Sequence, residues 1–214
     1  VTAPSDGGLT AFQIQVARLF FSLPESEGFL LAGAGALLAQ GLTHRSTEDL
    51  DFFGGQGEVS ISAAADALRS AAEDRGWESA VIRKFDTFCR LEISAAERLV
   101  VDLAVDSPPV RAPRITVLGP PFDPVELAAR KMLALFGRAE PRDFADVFQL
   151  AQRFGKEPLL AGAAELDRGF HREILAQILR SLAHIEDARL PVGLTRVPEL
   201  RAFFAAWADE LDGA

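Results

Sequence analysis

The chain predicts an α+β fold, with a mixed sheet flanked by helices over its first half and helices alone after about residue 123. Three observations point there. Segments 79–85, 88–94 and 99–105 carry apolar side chains in strand-length runs. Asp123-Pro124-Val125-Glu126 offers an Asp cap, a proline at the first helical position and a glutamate at the third. Beyond it, the apolar residues recur at helical spacing.

Taken in order, residues 1–8 (VTAPSDGG) hold proline, glycine and few apolar groups, and predict a frayed end. Phe12, Val16, Leu19 and Phe20 predict an amphipathic helix that ends near Pro24. Gly28–Ala32 predicts a short buried strand, Gly33–Gly35 a flexible turn, and Ala36–Gln40 a helix stopped by Gly41. Glu48–Phe53 predicts a strand closed by Gly54 and Gly55, and Ser62 is the expected cap of an alanine-rich helix reaching about Arg75, before Gly76. The three strand segments follow. Ser107–Arg114 holds three prolines and predicts a linker or edge loop, after which a strand around Ile115–Leu118 would finish the sheet. The helical half continues with Pro141–Phe154, Leu159–Leu166, Phe170–His184 and Pro198–Leu211. Two domains are expected, 9–118 and 123–212.

Of 214 residues, 49% are hydrophobic and 25% charged, the balance of a soluble globular chain with a sizeable core. The longest apolar runs, such as Phe29–Ala39, are too short to span a bilayer and contain two glycines, so no membrane association is expected. No basic stretch leading into an apolar core and cleavage site opens the sequence, which predicts no secretory signal. The single cysteine, Cys89, rules out an internal disulfide and fits a reducing cytoplasm. A net charge of −9 argues against indiscriminate nucleic-acid binding but leaves room for a local basic groove. Arg69, Arg75, Arg83, Lys84, Arg90 and Arg98 cluster in sequence, as do Arg130, Lys131, Arg138 and Arg142; solvated faces account for most of them.

The chemistry concentrates in acids that interrupt apolar strands. Asp49 and Asp51 share one strand face, roughly 6–7 Å apart, while Leu50 takes the other. Adjacent carboxylates resist burial unless a cation or strong donors compensate. Mg²⁺ prefers such hard oxygens and keeps several waters, and a pair of ions can clamp both oxygens of a phosphoryl transfer. Asp102 breaks the apolar run Leu99–Val105 in the same way; as an alternative it is a strand-end charge that accepts backbone donors. A glycine turn between strand and helix points N–H groups at an anion, although such glycines also serve steric ends. Lys131 lies mid-helix among Met132, Leu133 and Leu135. Asp143 is expected to charge the first turn of its helix, and Arg142 and Asp146 to pair at i, i+4. His44 is a loop residue beside Arg45 and expected to be solvated, His171 and His184 show no zinc spacing, Cys89 reads as core, and no Ser-His-Asp set is recognisable.

Five motifs stand in one order: LAGAGAL (Leu31–Leu37), RSTEDLD (Arg45–Asp51), VVDL (Val100–Leu103), ARKMLAL (Ala129–Leu135) and PRDFAD (Pro141–Asp146). Over roughly residues 28–155 they resemble the AbiEii/AbiGii-type toxin family of the polymerase-β-like nucleotidyltransferase superfamily. That family reads Leu-x-Gly-Gly-Thr-Ala-Leu, Arg-x-Ser-x-Asp-Leu-Asp, a strand acid, a helical Lys and Arg-Asp-x-x-Asp. Thr47 fills the Ser slot. Ala34 replaces the second Gly, and Gly35 replaces the Thr/Ser that contacts a triphosphate oxygen. The lost hydroxyl is worth about 1–3 kcal/mol toward a charged ligand, and the Gly35 N–H substitutes in part.

The resemblance implies two Mg²⁺ ions on Asp49 and Asp51, with Asp102 completing the site and helping to activate an acceptor hydroxyl. It implies an NTP cradled at Gly33 and Gly35, contacted by Arg45, Thr47 and Arg142, with Arg45 and Lys131 stabilising the leaving pyrophosphate. For Lys131, a snorkelling surface lysine remains the rival reading. Asp146 would orient Lys131 or the nucleotide, and the helical domain would contribute to the same cleft. The implied reaction moves an NMP from an NTP to an acceptor hydroxyl, with tRNA as one acceptor and an antitoxin as partner. Two alternatives stay open: a non-catalytic nucleotide- or partner-binding relative, and a transferase acting on a small molecule or a protein.

Overall fold

The computed structural model describes residues 8–213, so the fraying expected for residues 1–8 falls, apart from Gly8, outside the described residues. The chain divides into two compact units, Val1–Asp123 and Pro124–Ala214. The first contains α1 (Ala11–Phe21), β1 (Phe29–Ala32), α2 (Gly33–Ala39), β2 (Asp49–Gly55), α3 (Ile61–Glu73), β3 (Glu78–Phe85), β4 (Phe88–Ser94) and β5 (Arg98–Asp106). Its mixed five-stranded sheet, with flanking helices, is ordered β1-β2-β5-β4-β3. Only β2 and β5 pair in parallel; the other neighbours run antiparallel.

Period-2 alternation gives the sheet two unlike faces. Leu50, Phe52, Cys89, Leu91, Ile93, Leu99, Val101 and Leu103 are all buried on one of them. That face is covered by α1 through Phe20, stacked on Phe52 at 4.3 Å, and by α3, which packs on β3, β4 and β5. α1 begins in a capping box: the Thr10 hydroxyl accepts from the Gln13 N–H, and the Gln13 side chain accepts from the Thr10 N–H. The opposite face carries Asp49, Asp51 and Phe53 on β2, each partly exposed.

Several boundaries differ from the sequence expectation. Gly33–Gly35 is no turn; β1 passes directly into α2 at Gly33. β2 runs through Gly54 and Gly55, which pair with Val105 and Asp106. Val59 packs where a Gly54 side chain would stand, so these glycines permit close approach and do not end the strand. Ser60, not Ser62, caps α3 by accepting from the Ala63 N–H, because buried Ile61 must already belong to the helix. Ile115–Leu118 adds no strand to the sheet. Thr116 and Val117 bridge only to nearby Gly119, and Ile115 and Val117 are almost wholly exposed. The neighbour of β1 is instead residues 120–122, where Leu31 donates to Pro120 and accepts from Phe122.

The second unit holds α4 (Pro124–Arg138), α5 (Pro141–Phe154), α6 (Lys156–Leu166), α7 (Arg172–Arg180) and α8 (Val197–Asp212). Phe144, Phe148, Phe204 and Trp207 fill its core. α6 starts three residues earlier than expected, since Pro158 in the first turn lacks an N–H that would have no partner there anyway. α7 is shorter than expected and ends in a 3₁₀ turn, Ser181–His184. The Arg201 guanidinium donates to the carbonyls of Leu182 and Ile185, taking over acceptors that a continued α-helix would have used. Among the described residues no helix is long and apolar enough to cross a membrane.

The covered face of the sheet is the structural foundation of the first unit. Phe52→Ala should lower unfolding free energy by about 3–5 kcal/mol, measured by denaturant titration; a loss below 1 kcal/mol would contradict the packing described.

Candidate active site

The pairing register assembles the acids. Asp51 on β2 stands opposite Asp102 on β5, Asp102 opposite Arg90 on β4, and Arg90 opposite Arg83 on β3. Residues in register on adjacent strands point to the same face, so these four side chains form one rung on the uncovered side, with strands about 4.8 Å apart. Asp49 lies two residues before Asp51 on that face. Asp49, Asp51 and Asp102, separated by up to 53 positions in sequence, thus share one patch of sheet.

Each acid has its own support. The Thr47 hydroxyl donates a short hydrogen bond to Asp49 Oδ1, and buried Gln13 donates from Nε2 to the Thr47 carbonyl at 2.7 Å, which fixes that turn. Asp51 lies over Gly33, where a β-carbon would stand only 1.7 Å from Oδ2. Gly33 also has φ +58°, a left-handed conformation that suits glycine. The reach of Asp51 across the β1–α2 junction therefore requires a residue without a side chain. Asp102 is buried, and Arg90 holds it in a two-pronged pair, Nε to Oδ1 at 2.7 Å and Nη2 to Oδ2 at 2.6 Å. The hydrogen bonding of Asp102, with the charges of Asp102, Asp49 and Asp51 behind it, raises the Arg90 pKa, and partial burial opposes the rise.

Other expected contacts are distributed as follows. Arg45 is half-buried, donating from Nη1 to the Ser46 carbonyl at 3.2 Å, and His44 is exposed. Gly35 and Ala34 are buried in α2, and a β-carbon at Gly35 would lie 2.9 Å from Leu50 Cδ2. A hydroxyl residue there would need Leu50 to shift. Cys89 is buried in the sheet, and burial raises its thiol pKa. Within the helical unit, Lys131 Nζ pairs with Asp146 Oδ2 at 2.9 Å, both side chains being buried. Buried Asp143 is gripped by Arg138 at 2.7 and 2.8 Å, and Arg142 Nε lies 2.8 Å from a Glu140 oxygen.

Carboxylates are the donors that Mg²⁺ prefers, and Asp49 with Asp51 fits that chemistry. Asp102 fits only in part, because both its oxygens accept from Arg90. Among the described residues, no three His, Cys, Asp or Glu side chains gather at metal-holding distance. Two residues in this arrangement escaped the sequence. Arg90 looked like one more surface arginine, and only the pairing of β4 with β5 puts it against Asp102. Gln13 closes the capping box of α1, and its tie to Thr47 is a contact across 34 residues that no local pattern signals.

A family model described as "Nucleotidyl transferase AbiEii toxin, Type IV TA system" matches residues 17–211. Among solved structures, JHP933 from Helicobacter pylori superposes with a TM-score of 0.59 at 18% identity, covering 96% of each chain. A putative nucleotidyltransferase from H. pylori gives 0.57 at 17% identity, covering 94% of each. The nucleotidyltransferase toxin MenT4 from Mycobacterium tuberculosis gives 0.56 at 17% identity, covering 94% of this chain and 90% of that one. At these identities the structures share the fold. No curated protein matches the chain.

Two outcomes follow from the geometry. Gly33→Ala should lose about 1–2 kcal/mol from the left-handed backbone alone, with more from the displaced Asp51; a variant as stable as the parent in denaturant titration would contradict the close approach. Lys131→Met and Asp146→Leu should each cost about 3–5 kcal/mol by leaving a buried charge unmatched, whereas the double variant should cost less than either. A double-mutant cycle reads this, and additive losses would refute the coupling.

Proposed function

The chain belongs to the AbiEii nucleotidyl transferase toxin family, and on that premise we propose that it moves an NMP from an NTP to an acceptor hydroxyl, with tRNA as acceptor, in a Mg²⁺-dependent reaction. The observation that carries this reading is the rung itself: Asp51 and Asp102 in register on the open sheet face, with Asp49 one step away and Arg90 behind. An acidic patch of this kind suits phosphoryl transfer, where catalysis is mainly positioning and charge stabilisation.

When bound, Mg²⁺ would be held by Asp49 and Asp51 and would supply Lewis-acid polarisation and charge neutralisation at the phosphates. A second ion would need an Asp102 oxygen released by Arg90. The residues of the chain do the remaining work. Thr47 keeps Asp49 oriented, and Gly33 lets Asp51 reach across the junction. Asp102 would accept the proton of an acceptor hydroxyl on an oxygen lone pair that the Arg90 fork leaves open. Gly33 and Gly35 contribute backbone donors to the nucleotide, and Arg45 and Arg142 contribute positive charge. Lys131, buried and paired with Asp146, is the cation that the family resemblance assigns to the departing pyrophosphate.

Gly35 favours a second reading, a non-catalytic relative that binds nucleotide or a partner, because Leu50 fills the space beside the missing hydroxyl. Asp49→Ala and Asp51→Ala should each abolish transfer from a labelled NTP into total RNA or protein extract, with an unchanged far-ultraviolet dichroism spectrum. Undiminished transfer by either variant rules out the assignment. Transfer separates the two readings, since a non-catalytic relative moves no label in the parent chain, and calorimetry then tells a nucleotide binder from a partner binder, which gives no Mg²⁺-dependent NTP binding. Label arriving in protein or a small molecule would replace tRNA as acceptor.

A further inference from the structure

Beyond Asp102, the open face of the sheet changes character. The rung that begins with Asp51 and Asp102 continues through Arg90 to Arg83 at the edge strand. The neighbouring rung, two residues along, runs Phe53, Ala104, Phe88 and Phe85. Side chains two apart on a strand share a face, so a row of arginines and a row of aromatics lie side by side next to the acids. Phe85 is 60% exposed, unusual for a phenylalanine, and Phe88 is half-buried. Arg83 and Arg90 each stand 5.9 Å from the adjacent ring, over Phe85 and Phe88 respectively.

We infer that this strip is the docking surface for the acceptor: the unpaired 3′ end of an RNA, its bases on Phe85 and Phe88 and its phosphates toward Arg83. The inference rests on the nucleotidyl-transfer reading above and adds where the acceptor lies. Single strands are held by aromatic platforms beside local positive charge, so what the acceptor meets is the Arg83–Phe85 patch and not the net charge of −9. Two strand steps separate Asp102 from Arg83, about 10 Å, the span of about three stacked nucleotides at about 3.4 Å each. A terminal hydroxyl would thus arrive at the acids while the preceding bases rest on the rings.

Charge on the strip is close to balanced, and Arg83, over the Phe85 ring, is its outward cation. Arg90 is committed to Asp102, and the two charges largely cancel. On the same face Glu92 lies 3.4 Å from Arg98, which offsets it, and Asp86 stands in the hairpin turn beyond Phe85. A protein strand added to the edge of β3 is the less suitable occupant: the register shift between Val81 and Arg83 interrupts the edge, and Arg83 and Lys84 charge it.

Fluorescence anisotropy of the full chain with a labelled oligoribonucleotide bearing an unpaired 3′ end tests this. The parent should bind with an affinity that falls as salt rises. Phe85→Leu and Arg83→Gln should each weaken binding by about tenfold, while Phe85→Trp should retain it, because a π face and not apolar area is what stacks. All three should keep Mg²⁺-NTP binding in calorimetry and the parental melting temperature, since positions 83 and 85 are exposed. Parental RNA affinity in Phe85→Leu and Arg83→Gln overturns the inference while leaving nucleotidyl transfer intact, as does RNA binding that is absent from a parent chain that still binds NTP. Absence of NTP binding in the parent instead defeats the functional reading underneath. A parent that self-associates in sedimentation and becomes monomeric with Phe85→Leu would assign the strip to a second copy and overturn the proposal.

Discussion

The structure of the first unit depends on one electrostatic constraint: two aspartates brought face to face by the parallel pairing of β2 with β5. Carboxylates about 5 Å apart repel by about 3 kcal/mol at an effective dielectric near 20. The fold tolerates this through three devices. Arg90 neutralises Asp102 with a two-pronged pair from the next strand, Thr47 ties down Asp49, and Gly33 gives Asp51 room against the start of α2. Each device comes from a different element, so the acidic patch can form only when the whole sheet is assembled.

This division of labour runs through the sheet's two faces. Phe52 holds β2 to α1 and Leu50 lies close to α2, and the same strand presents Asp49 and Asp51 on its other face. The period-2 pleat links the two: the packing that fixes Leu50 and Phe52 in register necessarily fixes the acids between and beside them. A one-residue slip would bury both carboxylates and expose the aromatic stack. Core stability and the geometry of the acid patch are therefore coupled through β2, with the Thr47 turn orienting Asp49.

The helical unit treats charge differently. Lys131 with Asp146, and Arg138 with Asp143, are ion pairs whose acids are buried within the helices. Pairs of this kind contribute little net stability compared with apolar residues of the same volume, yet are costly to break.

The sequence alone determined the type of most elements, the identity of the three strand acids and the strong start of α4, because alternation, capping chemistry and apolar interruption are local properties. It also carried the family, through motifs whose order survives although Ala34 and Gly35 depart from the pattern. It did not determine where elements stop or what the acids touch. Ser60 and Ser62 have the same capping chemistry, and only the burial of Ile61 chooses between them. The apolar Ile115–Leu118 looks like a strand until the first unit leaves it no partner, and Arg90 looks like a surface charge until β4 is laid beside β5. Strand pairing is a long-range choice made by the packing of the whole sheet, so the partners of Asp102 were decided by tertiary structure alone.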